Sequence, residues 1–156
     1  MAVLWSSRLL ALLGFLDATY LTVSHYTGSG LACGPGGGCG IVTASRFATV
    51  GGVPIAAIGT GFYVVVNLLV WTRPGSLGRA AAAGLLMVTA SAAAVSGVLV
   101  VLQAAVIHAW CRFCLLSAAI TLALFLCAVV LYRSARPFAK SDGAAGTDAS
   151  LLRPPC

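Results

Sequence analysis

Long apolar stretches alternate with short polar segments along this chain, and four of the stretches have the length of a helix. They cover residues 8–26, 54–71, 79–102 and 110–132. Each holds roughly 20 residues, the length that an α-helix needs to cross a hydrocarbon layer of about 30 Å. The pattern predicts an all-α integral membrane protein, a four-transmembrane-helix bundle with one membrane-embedded domain over 1–136. The remaining residues, 137–156, lack hydrophobic periodicity and predict a disordered tail.

The composition agrees with a lipid environment. Of the 156 residues, 60% are hydrophobic and 8% are charged, and the mean hydropathy is +1.04, values outside the range of soluble domains. Nine basic residues against three acidic ones give a net charge of +6, which in a soluble protein would raise the question of nucleic acid. Here the basic residues lie mainly at helix ends, so we expect a lipid membrane and no nucleic acid as a partner.

Basic residues mark the side of the membrane on which each connecting segment lies, because Lys and Arg are retained in the cytoplasm. In a four-span arrangement most of them fall on one side: Arg8, Arg73, Arg79, Arg133, Arg136 and Lys140. Arg46 and Arg112 fall on the other side. Both termini are therefore expected in the cytoplasm, and four cysteines converge at the outer face, where disulfides persist. These are Cys33, Cys39, Cys111 and Cys114.

The segment 27–52 between the first two helices is rich in Gly, Thr and Ser and holds Cys33 and Cys39. These cysteines flank the sequence Gly-Pro-Gly-Gly-Gly, which has almost no side chains to pack, so the pair can swing between two partners. A purely structural disulfide is the alternative for this pair. Within the segment, residues 40–49 mix apolar and polar positions and predict a short helix lying at the membrane surface.

A Cys-Arg-Phe-Cys motif stands where the fourth helix begins, at Cys111 and Cys114. The unsatisfied amides and the positive dipole end of a helix start stabilise a thiolate, and Arg112 adds a positive charge. Because the thiolate is the nucleophile of disulfide exchange, this setting favours a redox-active pair. The same spacing also serves metal sites and structural disulfides, and both remain alternatives.

Two cysteine pairs on one face can form a relay. The mobile outer pair exchanges with a soluble thiol protein and passes electrons to the inner pair beside the lipid. The inner pair then needs an acceptor, and in a bilayer a quinone is the natural acceptor of two electrons. A quinone enters laterally between helices and needs an apolar pocket with a few polar groups.

Several short motifs carry a family resemblance. The loop pair Cys33 and Cys39 is one, with Ser45 six positions after the second cysteine. The others are Gly52-Val53-Pro54, Trp110-Cys111-Arg112-Phe113-Cys114-Leu115 and Asp17-Ala18-Thr19-Tyr20-Leu21. Together, over about 14–132, they resemble the vitamin K epoxide reductase family in its bacterial disulfide-generating branch.

The resemblance implies a four-helix bundle around a quinone of the menaquinone, ubiquinone or vitamin K type, in the inner membrane. It implies that Cys111 and Cys114 are the active-site pair and that Cys33 and Cys39 are the shuttle. Cys39 would exchange with Cys111, while Cys114 would contact the quinone. Ser45 matches the family's hydroxyl near the quinone; a short polar residue that caps the loop helix is the alternative.

The chain also departs from the family pattern. The loop cysteines are separated by five residues, fewer than is common in the family. Ile55 lies roughly where the animal enzymes carry an Asn that faces the vitamin K head group, which favours plain quinone reduction over epoxide reduction. The 156 residues hold no segment that resembles a thioredoxin-like domain, so we expect the redox partner to be a separate thioredoxin-like thiol protein, periplasmic or otherwise outside the cytoplasm.

Further residues are candidates for the quinone pocket. Asp17, in the first span, is costly to bury unless it is paired or near water, so it is either functional or hydrogen-bonded and structural. The aromatic candidates, for which packing is the alternative, are Tyr20, Phe62, Tyr63 and Phe113. His108 stands three residues before Cys111 and either tunes its thiolate or is simply interfacial. Cys127 is expected to be an inert small hydrophobe.

The preferred function is therefore a membrane thiol–disulfide oxidoreductase that generates disulfides for extracytoplasmic protein folding. One alternative keeps this chemistry and makes the reduction of vitamin K quinone or its epoxide the main role. Another is a non-catalytic membrane protein that binds a metal through its cysteines and His108. A helical scaffold with two structural disulfides is the third.

Overall fold

The computed structural model describes residues 2–29, 38–71 and 78–135, and within them the chain is almost entirely helical. The first long helix, α1, spans Ala2–Thr27, and a short helix, α2, spans Cys39–Ala44. Three further long helices follow: α3 over Ile55–Trp71, α4 over Arg79–Leu102 and α5 over Arg112–Ser134. The predicted tail 137–156 lies outside the described residues, as do Cys33 and Cys156.

Three helices in the described ranges are long and apolar enough to cross a bilayer. They are α1, α5 and the continuous helix Arg79–Ile107, in which a π-helical turn over Gln103–Ile107 extends α4. With 17 residues, α3 is apolar but rises only about 26 Å, slightly less than a hydrocarbon layer of roughly 30 Å. The chain is therefore a helical membrane protein with three candidate spans and one shorter apolar helix.

Two helices begin at residues other than the predicted ones. Helix α1 begins at Ala2 rather than at residue 8, and the buried Ser7 supports this early turn by donating its hydroxyl to Val3 O at 2.8 Å. Helix α5 begins at Arg112 rather than at residue 110, because the backbone of Cys111 is extended, with φ −99° and ψ 113°. The predicted bounds of α3 and α4 match the structure to within one residue.

Helix α1 packs between α3 and α5, and α4 packs on α5. The Tyr63 ring of α3 lies directly on Gly14 of α1, where any Cβ would overlap the ring. Close approach through small residues is the usual way in which membrane helices pack. Buried side chains from all four long helices complete the core, among them Ala11, Ala18, Val66, Val70, Leu85 and Leu124.

Polar contacts also tie α1 to α3. Asn67 Nδ2 donates a hydrogen bond to Ala11 O at 3.2 Å, and Arg8 Nε donates one to Val70 O at 3.2 Å. The Arg8 guanidinium lies 5.3 Å and 5.1 Å from the ring centroids of Trp5 and Trp71. These contacts hold the N-terminal half of α1 against the C-terminal part of α3.

The segment between α2 and α3 turns sharply and forms a small hairpin. Ser45 is extended, with φ −68° and ψ 151°, and ends α2; a 3-10 turn follows over Arg46–Ala48. Strands β1 (Thr49–Val50) and β2 (Val53–Pro54) pair antiparallel around two glycines, whose φ values of 59° and 83° suit a tight hairpin turn. The helix predicted over 40–49 therefore occupies only the first part of that segment.

Candidate functional site

The start of α5 carries two free thiols, Cys111 and Cys114. Cys111 is fully buried and caps the helix, since its sulfur accepts a hydrogen bond from Cys114 N–H at 3.4 Å. The pKa of Cys111 is lowered to about 7, first by a hydrogen bond from the Cys114 thiol and then by the N–H groups of Cys114 and Phe113, while burial acts in the opposite direction. A thiol with this pKa has a substantial thiolate fraction near neutral pH.

Gln103 holds the turn that leads into this motif. Its side-chain Oε1 accepts a hydrogen bond from Cys111 N–H at 2.9 Å, and the residue is 3% exposed. Its backbone O accepts from the N–H groups of His108 and Ala109. His108 takes the left-handed conformation, with φ 52°, and is exposed. The π-helical turn and this left-handed residue together lead the chain from α4 into α5, and π-helical turns are frequent at functional sites.

The loop cysteine Cys39 lies in the same buried cluster as Cys111. Both side chains are fully buried, and Ala109 belongs to the same apolar cluster. The approach of the loop is close, because a Cβ at Gly38 would lie 2.7 Å from the Cβ of Ala109. Cys39 is disulfide-bonded, and Cys33, its expected partner, lies outside the described residues. The fold thus brings a loop cysteine and the first cysteine of the helix motif together.

A cavity of about 570 Å³ lies between α1, α3, α4, α5 and the segment that precedes α3. This volume is typical of sites for small organic molecules. The walls are mostly apolar, and Cys114 forms part of them. Polar side chains in the walls include His25, Ser45, Gln103, Ser117 and Thr121. The second thiol of the motif therefore borders a space that suits an apolar ligand with a few polar groups.

The residues predicted from the sequence for a quinone pocket fall into two groups. Three line the cavity: Ser45, Phe62 and Tyr63. Three do not: Asp17, Tyr20 and Phe113. The rings of Tyr20 and Phe113 pack on each other, with centroids 5.2 Å apart. The Ser45 hydroxyl donates to Val42 O at 2.7 Å, at the end of α2, so this cavity-lining residue also caps the loop helix.

Asp17 is buried, with 8% of its surface exposed. It shares a side-chain hydrogen bond with Ser117, and none of the described residues hydrogen-bonds its Oδ2 atom. Ser117 Oγ lies 3.2 Å from Tyr63 Oη, which lies 3.0 Å from Thr121 Oγ1. A continuous polar chain therefore connects the Asp17 carboxyl group to residues of the cavity wall.

Residues 5–129 match the sequence model of the Vitamin K epoxide reductase family. The chain belongs to the vitamin K epoxide reductase family. It is 38% identical over 124 residues to the Thiol-disulfide oxidoreductase LTO1 of Arabidopsis thaliana, a match that covers 73% of this chain and 32% of that protein. The chain thus spans about a third of the length of this curated relative. The resemblance carried by the cysteine motifs is confirmed.

The sequence motifs did not identify several polar residues that line the cavity. For two of them a signal exists, since Ser117 and Thr121 stand three and seven positions after Cys114 and share its helix face. Gln103 has no comparable signal. Its contact with Cys111 spans eight positions and a turn, so helical periodicity does not connect the two residues.

Within 2–29, 38–71 and 78–135, no three His, Cys, Asp or Glu side chains form a group that could hold a metal ion. His108, the histidine of the metal-binding alternative, is exposed. Cys127 is a free cysteine in the middle of α5, remote in sequence from the Cys111 motif.

Proposed function

We propose that this family member is a membrane thiol–disulfide oxidoreductase. It takes electrons from a reduced thioredoxin-like protein through Cys33 and Cys39, passes them to Cys111 and Cys114, and delivers them to a quinone. The net result is the generation of disulfides in proteins that fold outside the cytoplasm. One arrangement supports the proposal most: Cys39 packs in the same cluster as Cys111, and Cys114 borders a mostly apolar cavity.

Each exchange step moves two electrons between a dithiol and a disulfide. The partner's thiolates attack the Cys33–Cys39 disulfide, and the partner leaves oxidised while the loop pair becomes two thiols. Cys39 then attacks Cys111 in the Cys111–Cys114 disulfide, and Cys114 leaves as a thiolate that takes up a proton. Cys33 next attacks Cys39, which restores the loop disulfide and releases Cys111.

The lowered pKa of Cys111 assists the last of these steps. A thiol of lower pKa is the better leaving group, so Cys111, with a pKa of about 7, departs readily from its mixed disulfide with Cys39. In the structure Cys39 is disulfide-bonded while Cys111 and Cys114 are free thiols.

The cavity fits a quinone head group by its volume, its mostly apolar walls and the few polar atoms among them. A bound quinone of the menaquinone, ubiquinone or vitamin K type supplies the acceptor for two electrons. Cys111 and Cys114 give up two electrons and two protons as their disulfide forms, and Cys114 is the thiol that borders the cavity. We assign ring contacts to Ser45, Phe62 and Tyr63, all in the cavity wall.

The remaining predicted pocket residues act from outside the cavity lining in this proposal. Phe113 belongs to the edge of the Cys39–Cys111 cluster and packs on Tyr20, so this pair positions the motif. Asp17 acts through its hydrogen bond to Ser117, which does line the cavity. A buried carboxyl group connected in this way can accept or return a proton beside the thiol pair.

We place the protein in the inner membrane with four spans, α3 being the shortest, and with both termini in the cytoplasm. Helix directions support this orientation. Cys111 lies at the start of α5, whereas Arg133 lies at its far end, together with Arg8 in α1 and Arg79 in α4. Because cytoplasmic segments are enriched in Lys and Arg, the cysteine end faces outward and α2 lies at the outer surface.

The test is quinone reduction by the purified protein in detergent, with a reduced thioredoxin-like protein as electron donor and quinone absorbance as the readout. The proposal expects turnover by the unaltered protein and its loss in Cys111→Ala. Cys127→Ala is the matched control, because this free cysteine lies in the middle of α5. An unaltered protein that shows no turnover and binds stoichiometric zinc would contradict the proposal and favour metal binding.

A further inference from the structure

Gln103 has a side-chain amide whose orientation is set by its surroundings. The N–H of Cys111 needs an acceptor at the buried helix start, and Gln103 Oε1 supplies it at 2.9 Å. An amide oxygen accepts hydrogen bonds and an amide nitrogen only donates them. The oxygen must therefore point to Cys111, and the nitrogen, Nε2, points elsewhere.

Nε2 of Gln103 makes no hydrogen bond to any residue in the described ranges. Completely buried side-chain atoms that lack a partner there are Asp17 Oδ2, Thr19 Oγ1 and Asn67 Oδ1. Nε2 is not among these atoms, and the residue as a whole is 3% exposed. Because Gln103 lines the cavity and its Oε1 is turned to Cys111, we infer that Nε2 faces the cavity.

Three other polar groups in the same wall already have partners. The Ser45 hydroxyl donates to Val42 O, and the Thr121 hydroxyl donates to Ser117 O at 2.9 Å. The hydroxyl of Tyr63 lies between Ser117 and Thr121. Gln103 thus offers N–H donors to a cavity whose walls are otherwise mostly apolar. A buried donor without a partner costs free energy, so a ligand with an acceptor at this position is favoured.

We propose that Gln103 Nε2 donates a hydrogen bond to a carbonyl oxygen of the quinone, while Oε1 of the same amide fixes the backbone of Cys111. This inference rests on the proposed function and assigns a ligand-orienting residue to it. The amide then holds the quinone ring in the part of the cavity that Cys114 borders. A hydrogen bond to the carbonyl oxygen also favours the build-up of negative charge there as electrons arrive.

The test compares two ligands that share one carbon skeleton in two proteins. The ligands are 2,3-dimethyl-1,4-naphthoquinone and 2,3-dimethylnaphthalene, which differ in the carbonyl oxygens, and the full chain carries Cys114→Ser to prevent turnover. Affinity is measured by titration in detergent with Gln103 and with Gln103→Met. We expect Gln103→Met to reduce the preference for the quinone over the hydrocarbon about tenfold, the upper range for one neutral hydrogen bond.

The possible outcomes are distinguishable. If Gln103→Met weakens both ligands equally, Gln103 acts only through the Cys111 backbone and the inference is overturned. If the protein with Gln103 binds neither ligand, the quinone site itself fails, and the proposed function fails with it. Asn67→Leu is the control: it removes an amide whose Nδ2 is committed to Ala11 O and Tyr63 O, and it should leave the preference unchanged.

A second measurement covers the case in which Gln103→Met does not fold. The infrared carbonyl stretch of ¹³C-labelled 2,3-dimethyl-1,4-naphthoquinone is recorded on the protein that retains Gln103. A bound quinone should show one carbonyl band at lower frequency than in an alkane solvent, because the hydrogen bond weakens that bond. If both carbonyl groups of the bound quinone absorb at the frequency seen in the alkane solvent, the inference is overturned. Gln103→Glu retains an acceptor for Cys111 N–H, and when ionised it should abolish the lowered band.

Discussion

The interface between α1 and α3 is closed, whereas the interface between α3 and α4 opens into the cavity. At the closed interface the Tyr63 ring covers Gly14, and Asn67 bonds across to Ala11 O. At the open one, Gly61 of α3 lines the cavity, and a Cβ there would meet no described atom within 4 Å. Small α4 residues line the cavity there, among them Ser91, Ala92 and Ser96.

The comparison shows that small residues do not by themselves bring membrane helices together. They permit close packing where a large ring or a hydrogen bond fills the space that they leave. Where no such partner is present, the same residues leave room. On the proposed function, the closed interface holds the bundle rigid, and the open one admits a quinone from the lipid.

Cys114→Ser should have the largest effect, and it should act only at the open side of the bundle. The thiol that borders the cavity is lost, so quinone reduction should fall roughly a thousandfold or more, as when a reacting nucleophile is removed. Thermal unfolding should be unchanged, because the closed interface is intact.

Cys39→Ser should retain quinone reduction when a small dithiol is the electron donor and should lose quinone reduction when a protein is the donor. Normal rates with a protein thiol in both variants would rule out the relay.

A matched pair of glycine substitutions tests the closed interface directly. Gly14→Ala places a methyl group in the Tyr63 ring and should lower the free energy of unfolding by about 1–3 kcal/mol, a typical cost of overpacking. Gly61→Ala, in the cavity wall on α3, meets open space and should be neutral or stabilise by up to about 1 kcal/mol. Denaturant titration in detergent measures both. Equal effects at the two positions would mean that the interfaces do not differ in packing.

The pH dependence of Cys111 provides a smaller test at the open side. Its pKa of about 7 means that thiolate is present above that pH and is lost as the pH falls below it. The ultraviolet absorbance of the Cys111 thiolate, in a chain with Cys127→Ala and Cys156→Ala, should therefore rise with pH through 7 and then level off. In Cys114→Ala, which loses the hydrogen bond that lowers this pKa most, the thiolate absorbance at pH 7 should fall about tenfold. An unchanged profile would exclude that hydrogen bond as the cause.

The smallest expected effect concerns the amide link across the closed interface. Asn67→Leu removes the bond to Ala11 O but also removes an Oδ1 atom with no partner in the described residues. Interhelical hydrogen bonds in membranes contribute about 0.6 kcal/mol on average, so the loss of unfolding free energy should be of that size or less. Ser134→Ala, at an exposed hydroxyl bonded within its own helix, is the control. A loss well above the packing effect of Gly14→Ala would show that polar links, not packing, close this interface.

Much of the helical fold could be predicted from the sequence. The limits predicted for α3 and α4 match the structure because apolar runs end sharply there, at Trp71 and at Arg79. Helix α1 begins earlier than predicted. The polar residue Ser7 does not end the helix, because its hydroxyl donates a hydrogen bond to Val3 O within the same helix. The start of α5 is later because Cys111 acts as the cap, a role that depends on local geometry rather than on hydropathy.

The sequence by itself determined that this is a helical membrane protein of the vitamin K epoxide reductase family, because apolar length and cysteine spacing are local properties of the chain. The tertiary structure decided which residues meet. The contact of Gln103 with Cys111, the wall shared by Ser45, Tyr63 and Cys114, and the position of Asp17 outside that wall depend on how turns and helix faces are arranged. Hydrophobic periodicity identifies a buried face, but only packing determines which side chains share a cavity.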